Sequence, residues 1–167
     1  CEVTENGKQY KEFYDTFQKR EKNSKHYLIS LDQIEELPPR DILEKSYVAN
    51  KSGRARNKIP AIIELDEEFA SLLGWFVAEG HFREGGTEKA SYNDSAIASD
   101  NPQQREEIQR LFKQVFDYEA SVNARQVSCC TSTIARLLSE LCGNKADTKK
   151  VPEPIFNCEK PVREAFL

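Results

Sequence analysis

Apolar positions crowd most densely at Leu72-Leu73-Gly74-Trp75-Phe76-Val77-Ala78, a stretch that ends in Glu79-Gly80. Leu72, Leu73, Trp75, Phe76 and Val77 leave almost no polar face, which predicts a helix buried all round. Gly74 and Ala78, four apart, share one face of that helix. Small residues at this spacing let a second helix backbone approach closely. Gly80 predicts the stop. Upstream, Asp66 reads as an N-cap with Glu67 and Glu68 in the first turn, where the helix dipole favours acids.

Beyond Gly80 the period changes. His81-Phe82-Arg83 reads as a strand, Glu84-Gly85-Gly86-Thr87 as a turn and Ser91 to Ser99 as the return strand. Asn101-Pro102 opens a helix whose Ile108, Leu111, Phe112, Val115 and Phe116 form an apolar stripe, with Arg105, Glu106, Glu107, Arg110 and Lys113 on the wet side. A second strand pair follows at Ala120-Ser121-Val122 and Gln126-Val127-Ser128-Cys129-Cys130, separated by Asn123-Ala124-Arg125. Thr131 or Ser132 then caps a helix carrying Ile134, Leu137, Leu138 and Leu141 on one face, ending at Cys142-Gly143. The expected order is αββαββα, an α+β fold.

Residues 1–58 carry weaker signals. Tyr10, Phe13 and Phe17 fall at helical spacing; Tyr27-Leu28-Ile29-Ser30 reads as a strand, and Leu31 to Leu37 as a short helix stopped by Pro38-Pro39. This region reads as an appended segment or the end of a splicing-type module with a basic linker, preceding a domain over residues 59–167.

Glu79 is the chemically pointed residue. A carboxylate buried at the end of an apolar helix costs several kcal/mol as an isolated charge and requires a cation or a proton. A divalent metal is the sharp explanation; a core helix with an incidental terminal acid is the plain one.

The segment resembles the LAGLIDADG motif of homing endonucleases and of intein-borne endonuclease domains, with Gly74 at the first glycine, Ala78 and Glu79 at the alanine and acid of its ADG, and Gly80 at the last glycine. Lys58 to Ala70 looks like the approach to the first motif in intein-type members. Asn144 to Phe156 resembles the block between the two motifs, a lysine followed two residues later by an aliphatic residue and proline: Lys149-Lys150-Val151-Pro152. The resemblance covers roughly Ile59 to Leu167 and implies the LAGLIDADG fold, one αββαββα half whose four antiparallel strands form a DNA-binding saddle. It further implies that Glu79 and Lys149 are catalytic, that Glu79 and the Gly80 carbonyl bind Mg²⁺ (or Mn²⁺), and that Gly74 and Ala78 pack motif helices together. Phosphodiesters of double-stranded DNA would be hydrolysed, with Lys149 stabilising charge at the scissile phosphate.

Charge changes this picture. A net charge of −4 over 167 residues is unusual for a DNA binder, because phosphate affinity comes largely from Lys and Arg. Acids concentrate on expected helix surfaces, at Glu35-Glu36, Glu67-Glu68 and Glu106-Glu107. Bases gather in a separate set: Lys51, Arg54, Arg56 and Lys58 in one stretch, Arg83 and Lys89 about the first hairpin, Arg125 in the second turn, and Lys145, Lys149 and Lys150 after the last helix. Any such run is ordinarily solvated surface. Placed on the fold that the resemblance implies, Arg83, Lys89, Arg125, Lys145 and Lys150 become DNA-contact candidates, Arg83 first among them.

Five cysteines lack paired CxxC spacing and read as reduced and structural, with Cys130 and Cys142 in the core. No apolar run approaches the roughly 20 residues needed to cross a bilayer, and no secretory signal is visible, so the expectation is an intracellular protein without membrane contact. Cys1 invites a splicing reading, yet Glu2-Val3-Thr4-Glu5 does not resemble an intein's first block, and Phe156 stands where a histidine would precede Asn157-Cys158. Pro161 to Leu167 looks like the approach to a second motif. That second motif would come from a homodimer mate or from sequence beyond residue 167. Two further readings stand beside the endonuclease: a cleavage-deficient DNA-binding regulator or maturase-like protein, and an inactive intein remnant.

Overall fold

A computed structural model describes residues 39–49, 58–87 and 90–167. The chain divides into two units, Cys1–Pro39 and Arg40–Leu167, and all the described elements belong to the second. The helices and strand expected before Pro38, and the basic residues Lys51, Arg54 and Arg56, lie outside the described residues.

Helix α1 (Arg40–Leu43) leads into an antiparallel ribbon of β1 (Tyr47–Ala49) and β2 (Lys58–Pro60). Helix α2 (Glu67–Glu79) starts where Asp66 accepts a hydrogen bond from the Phe69 amide at 2.9 Å, satisfying one of the donors a helix start leaves orphaned. Strands β3 (Gly80–Thr87) and β4 (Ala90–Ala98) follow directly. Helix α3 (Pro102–Phe116) is capped by Asn101, whose side chain accepts from the Gln103 amide at 2.9 Å. Then come β5 (Ser121–Val122), β6 (Gln126–Cys129), α4 (Ser132–Cys142), a 3₁₀ turn (Glu153–Asn157) and α5 (Lys160–Phe166). From α2 to α4 the order is αββαββα, in an α+β architecture.

The four-stranded sheet is antiparallel throughout, in the order β3-β4-β6-β5. Directly paired residues stand on the same side, and successive residues alternate sides. Ile97 pairs with Val127 and Ser95 with Cys129, and this side meets the helices. Phe69, Leu72, Leu73 and Phe76 of α2 join Ile108, Leu111, Phe112 and Phe116 of α3 and Ile134 and Leu138 of α4 in one core. Phe69 and Phe116 meet edge to face at 5.8 Å, an arrangement favoured by the ring quadrupoles. The other side carries His81, Arg83, Asp94, Ser128 and Ser121; Arg83 and Ser121 are exposed there, while Ala96 between them is buried.

Three sequence expectations are corrected. Helix α2 is not buried all round: Ala78 and Glu79 are exposed and Trp75 is half-buried, because α5 meets the Gly74 face one turn before the helix ends. Glu84-Gly85-Gly86-Thr87 is strand rather than turn, pairing in register with Asn93, Tyr92, Ser91 and Ala90; two glycines do not stop a strand whose partner supplies the ladder. Cys130 is exposed while its neighbour Cys129 is buried, as alternation along β6 requires. The N-cap of α4 is Thr131, one of the two residues expected there; it is buried and makes no side-chain capping bond.

Candidate active site at the end of α2

Phe76 is the hub of the site. Its ring is buried in the core, and its carbonyl, in the last turn of α2, accepts from the Gly80 amide and from the Lys149 ammonium. Lys149 also lies over the Phe76 ring, 3.8 Å from the centroid, a cation–π geometry. The helix macrodipole places partial negative charge here, which favours a cation. Among the described residues the partners of Lys149 are thus a carbonyl and a ring, not a carboxylate. Burial pushes its pKa below the usual lysine value.

Lys149 reaches this point through a tight loop after α4. Gly143 adopts φ 81°, and a Cβ there would collide with the Thr148 carbonyl. The Lys150 amide returns to the Cys142 carbonyl at 3.0 Å. Thr148 Oγ1 accepts from the Lys145 amide at 3.0 Å and donates to Asn144 Oδ1 at 3.1 Å. Pro152 is fully buried and anchors the exit. Lys149 is half-buried, while Lys145 and Lys150 are exposed. The Cys142 thiol beside Lys149 is pushed up to about 11 by burial, so it stays neutral and offers the ammonium no counter-charge.

Glu79 is the last residue of α2 and Gly80 the first of β3. Gly80 has extended backbone, and it must be glycine because a Cβ would strike the Phe76 carbonyl and ring. The exposed Glu79 carboxylate stands at the helix end where an acid is electrostatically unfavourable, by about 0.3–1 kcal/mol. Gly74 lies against the backbone of Phe166, so close that a Cβ would overlap the Phe166 carbonyl. Gly74 therefore packs against α5, while Ala78, one turn on, is uncovered.

On the open sheet face, Arg83 forms a bidentate pair with Asp94 across the β3–β4 register. Arg125 is exposed in the β5–β6 turn, and Lys89 lies outside the described residues. Four contributors are absent from the sequence-derived set: Phe76, described above, and three more. His81 follows Gly80 on the open face; burial lowers its pKa, Arg83 and Lys149 lower it further, and Asp94 opposes them. Asp94 is the partner of Arg83, and Gly143 shapes the lysine loop. The signal for Asp94 was strand register, which a single sequence does not display.

No family model matches the chain. It is similar over most of its length to proteins named DNA polymerase: 28% identical over 95% of the chain in Thermococcus sp. (strain GE8), 28% over 96% in Methanocaldococcus jannaschii and 25% over 100% in Pyrococcus horikoshii. The chain spans only about a tenth of the length of these curated relatives, 10% of the first two and 13% of the third. Among the described residues no helix is long and apolar enough to cross a membrane.

Proposed function

We propose that the chain is the first half of an intein-type LAGLIDADG endonuclease domain, inserted in a DNA polymerase, that hydrolyses a specific DNA duplex with a divalent metal. The observation that carries this reading is Lys149: a half-buried ammonium at the end of α2 with no carboxylate partner among the described residues, and hence with charge to offer an incoming phosphate. An insert also accounts for a segment that matches nearly end to end yet spans a tenth of each relative.

Glu79 and the Gly80 carbonyl are hard oxygen donors that suit Mg²⁺ or Mn²⁺. These two would hold the ion from the protein side; among the described residues no three His, Cys, Asp or Glu gather to hold a metal. When bound, the metal supplies an activated water and charge neutralisation at the attacking and leaving oxygens. Lys149 holds positive charge at the reacting phosphate, Phe76 fixes the direction of that ammonium, and the open sheet face lies along the duplex. Because α5 covers Gly74 and leaves Ala78 exposed, a second motif helix, whether from a homodimer mate or from the same polypeptide, would meet α2 at Ala78.

The test is incubation of the polypeptide carrying this chain with duplex DNA of the uninterrupted polymerase gene, with and without Mg²⁺. Double-strand cleavage at one site only with metal is expected. Binding without cleavage in Mg²⁺ or Mn²⁺ would replace the endonuclease with a DNA-binding protein, and failure to bind would leave an inactive remnant.

A further inference from the structure

Arg83 and Asp94 face each other directly across β3 and β4 on the open side of the sheet. Arg83 Nε donates to one Asp94 oxygen at 3.0 Å and Nη2 to the other at 2.9 Å. The two side chains differ sharply in exposure, 55% for Arg83 and 14% for Asp94, so the carboxylate is the sheltered anchor and the guanidinium the projecting group. A guanidinium has five N–H donors in a rigid plane. Asp94 takes two along the side edge. The end edge, one N–H of Nη1 and the remaining one of Nη2, points away from Asp94 with parallel donors.

We propose that Asp94 is a positioning residue that holds Arg83 as a fixed reader of one guanine in the DNA major groove. This rests on the DNA-binding reading above. Two parallel donors match the O6 and N7 acceptors of guanine. The alternative target, a backbone phosphate, fits less well: pairing with Asp94 cancels the charge on which phosphate affinity and counterion release depend, whereas neutral base acceptors leave the pair intact. The neighbours agree. Around the pair this face carries the uncharged Ser128, Gln126 and Ser121 beside one titratable neighbour, His81, a lining of hydrogen-bonding groups suited to base edges more than to a phosphate track.

The experiment is selection from randomised duplexes by the natural polypeptide carrying this chain, in parallel with its Asp94→Asn and Arg83→Lys variants. Affinity for the winning duplex is then measured against salt, and melting temperatures are recorded. The wild type should enrich guanine at one position by about tenfold or more over other bases. Both variants should lose that preference and keep the rest of the selected site; Arg83→Lys should leave the salt slope unchanged, whereas Asp94→Asn, which frees the charge at Arg83, should steepen it. Arg83→Lys keeps the charge but not the fork, so it decides the matter even if Asp94→Asn fails to fold. An unchanged preference in the variants, or a lower salt slope with preferences intact, overturns the guanine reader while sparing the DNA-binding reading. A wild type that enriches no sequence and binds no duplex overturns both.

Discussion

The Lys149 ammonium donates to the Phe76 carbonyl and stacks on the Phe76 ring, 73 residues away in sequence, at the end of the helix that carries Glu79. Burial disfavours its charged form, a stability cost present below the ordinary lysine pKa and relieved only as pH rises through it. Such an arrangement is costly for the fold and useful for an anionic substrate.

Lys149→Met should therefore separate stability from activity. The thermal midpoint at neutral pH should stay level or rise, while cleavage falls by about a hundredfold or more. Differential scanning calorimetry beside single-turnover cleavage checks this; a large drop in melting temperature would mean that the lysine is structural.

Gly143→Ala should act on Lys149 from a distance. A Cβ at φ 81° collides with the Thr148 carbonyl, so the loop must open. A loss of about 1–3 kcal/mol is expected in denaturant unfolding, together with weaker cleavage. Lys145→Ala, at an exposed position in the same loop, should change stability by less than about 0.5 kcal/mol.

Gly74→Ala and Ala78→Val probe the two small positions of α2. The first drives a methyl into the Phe166 backbone and should destabilise by about 1–3 kcal/mol. The second adds bulk to an exposed position and should leave Arg40–Leu167 as stable as before, within about 0.5 kcal/mol. If Ala78 were already covered, both would cost alike.

His81 supplies the pH test. Its folded pKa is lowered, first by burial and then by Arg83 and Lys149, against Asp94. The unfolded chain takes up the proton first, so stability is intact above the ordinary histidine value of 6.5 and declines as pH falls from there toward the folded pKa. Denaturant unfolding across that window should show the decline, and His81→Gln should flatten it. In a proton NMR titration His81 should titrate below 6.5, and it should shift upward in Arg83→Ala.

Much of this architecture is written locally. Asp66 and Asn101 start their helices by side-chain caps that need only three residues of context, and the stripe at Ile108, Leu111, Phe112 and Phe116 is a property of one helix. What escaped depends on partners distant in sequence. Glu79 looked buried because its apolar neighbours are, yet exposure at a helix end depends on where α5 crosses. Asp94 reads as an ordinary strand acid until the register sets it opposite Arg83. Glu84 to Thr87 carries turn residues, but the ladder with β4 overrides them. Lys149 was legible only through resemblance, since nothing local in Lys149-Lys150-Val151-Pro152 announces Phe76.

The most direct measurement is single-turnover cleavage by wild type and Glu79→Gln, with duplex binding and melting temperature recorded on the same samples. Removing an acid from the unfavourable end of a helix should leave the protein as stable or slightly more so, and DNA binding should persist. Cleavage in Mg²⁺ should vanish. A stable Glu79→Gln protein that still cuts the duplex at the wild-type rate would contradict the role given to this carboxylate, and with it the metal-dependent reading of the site.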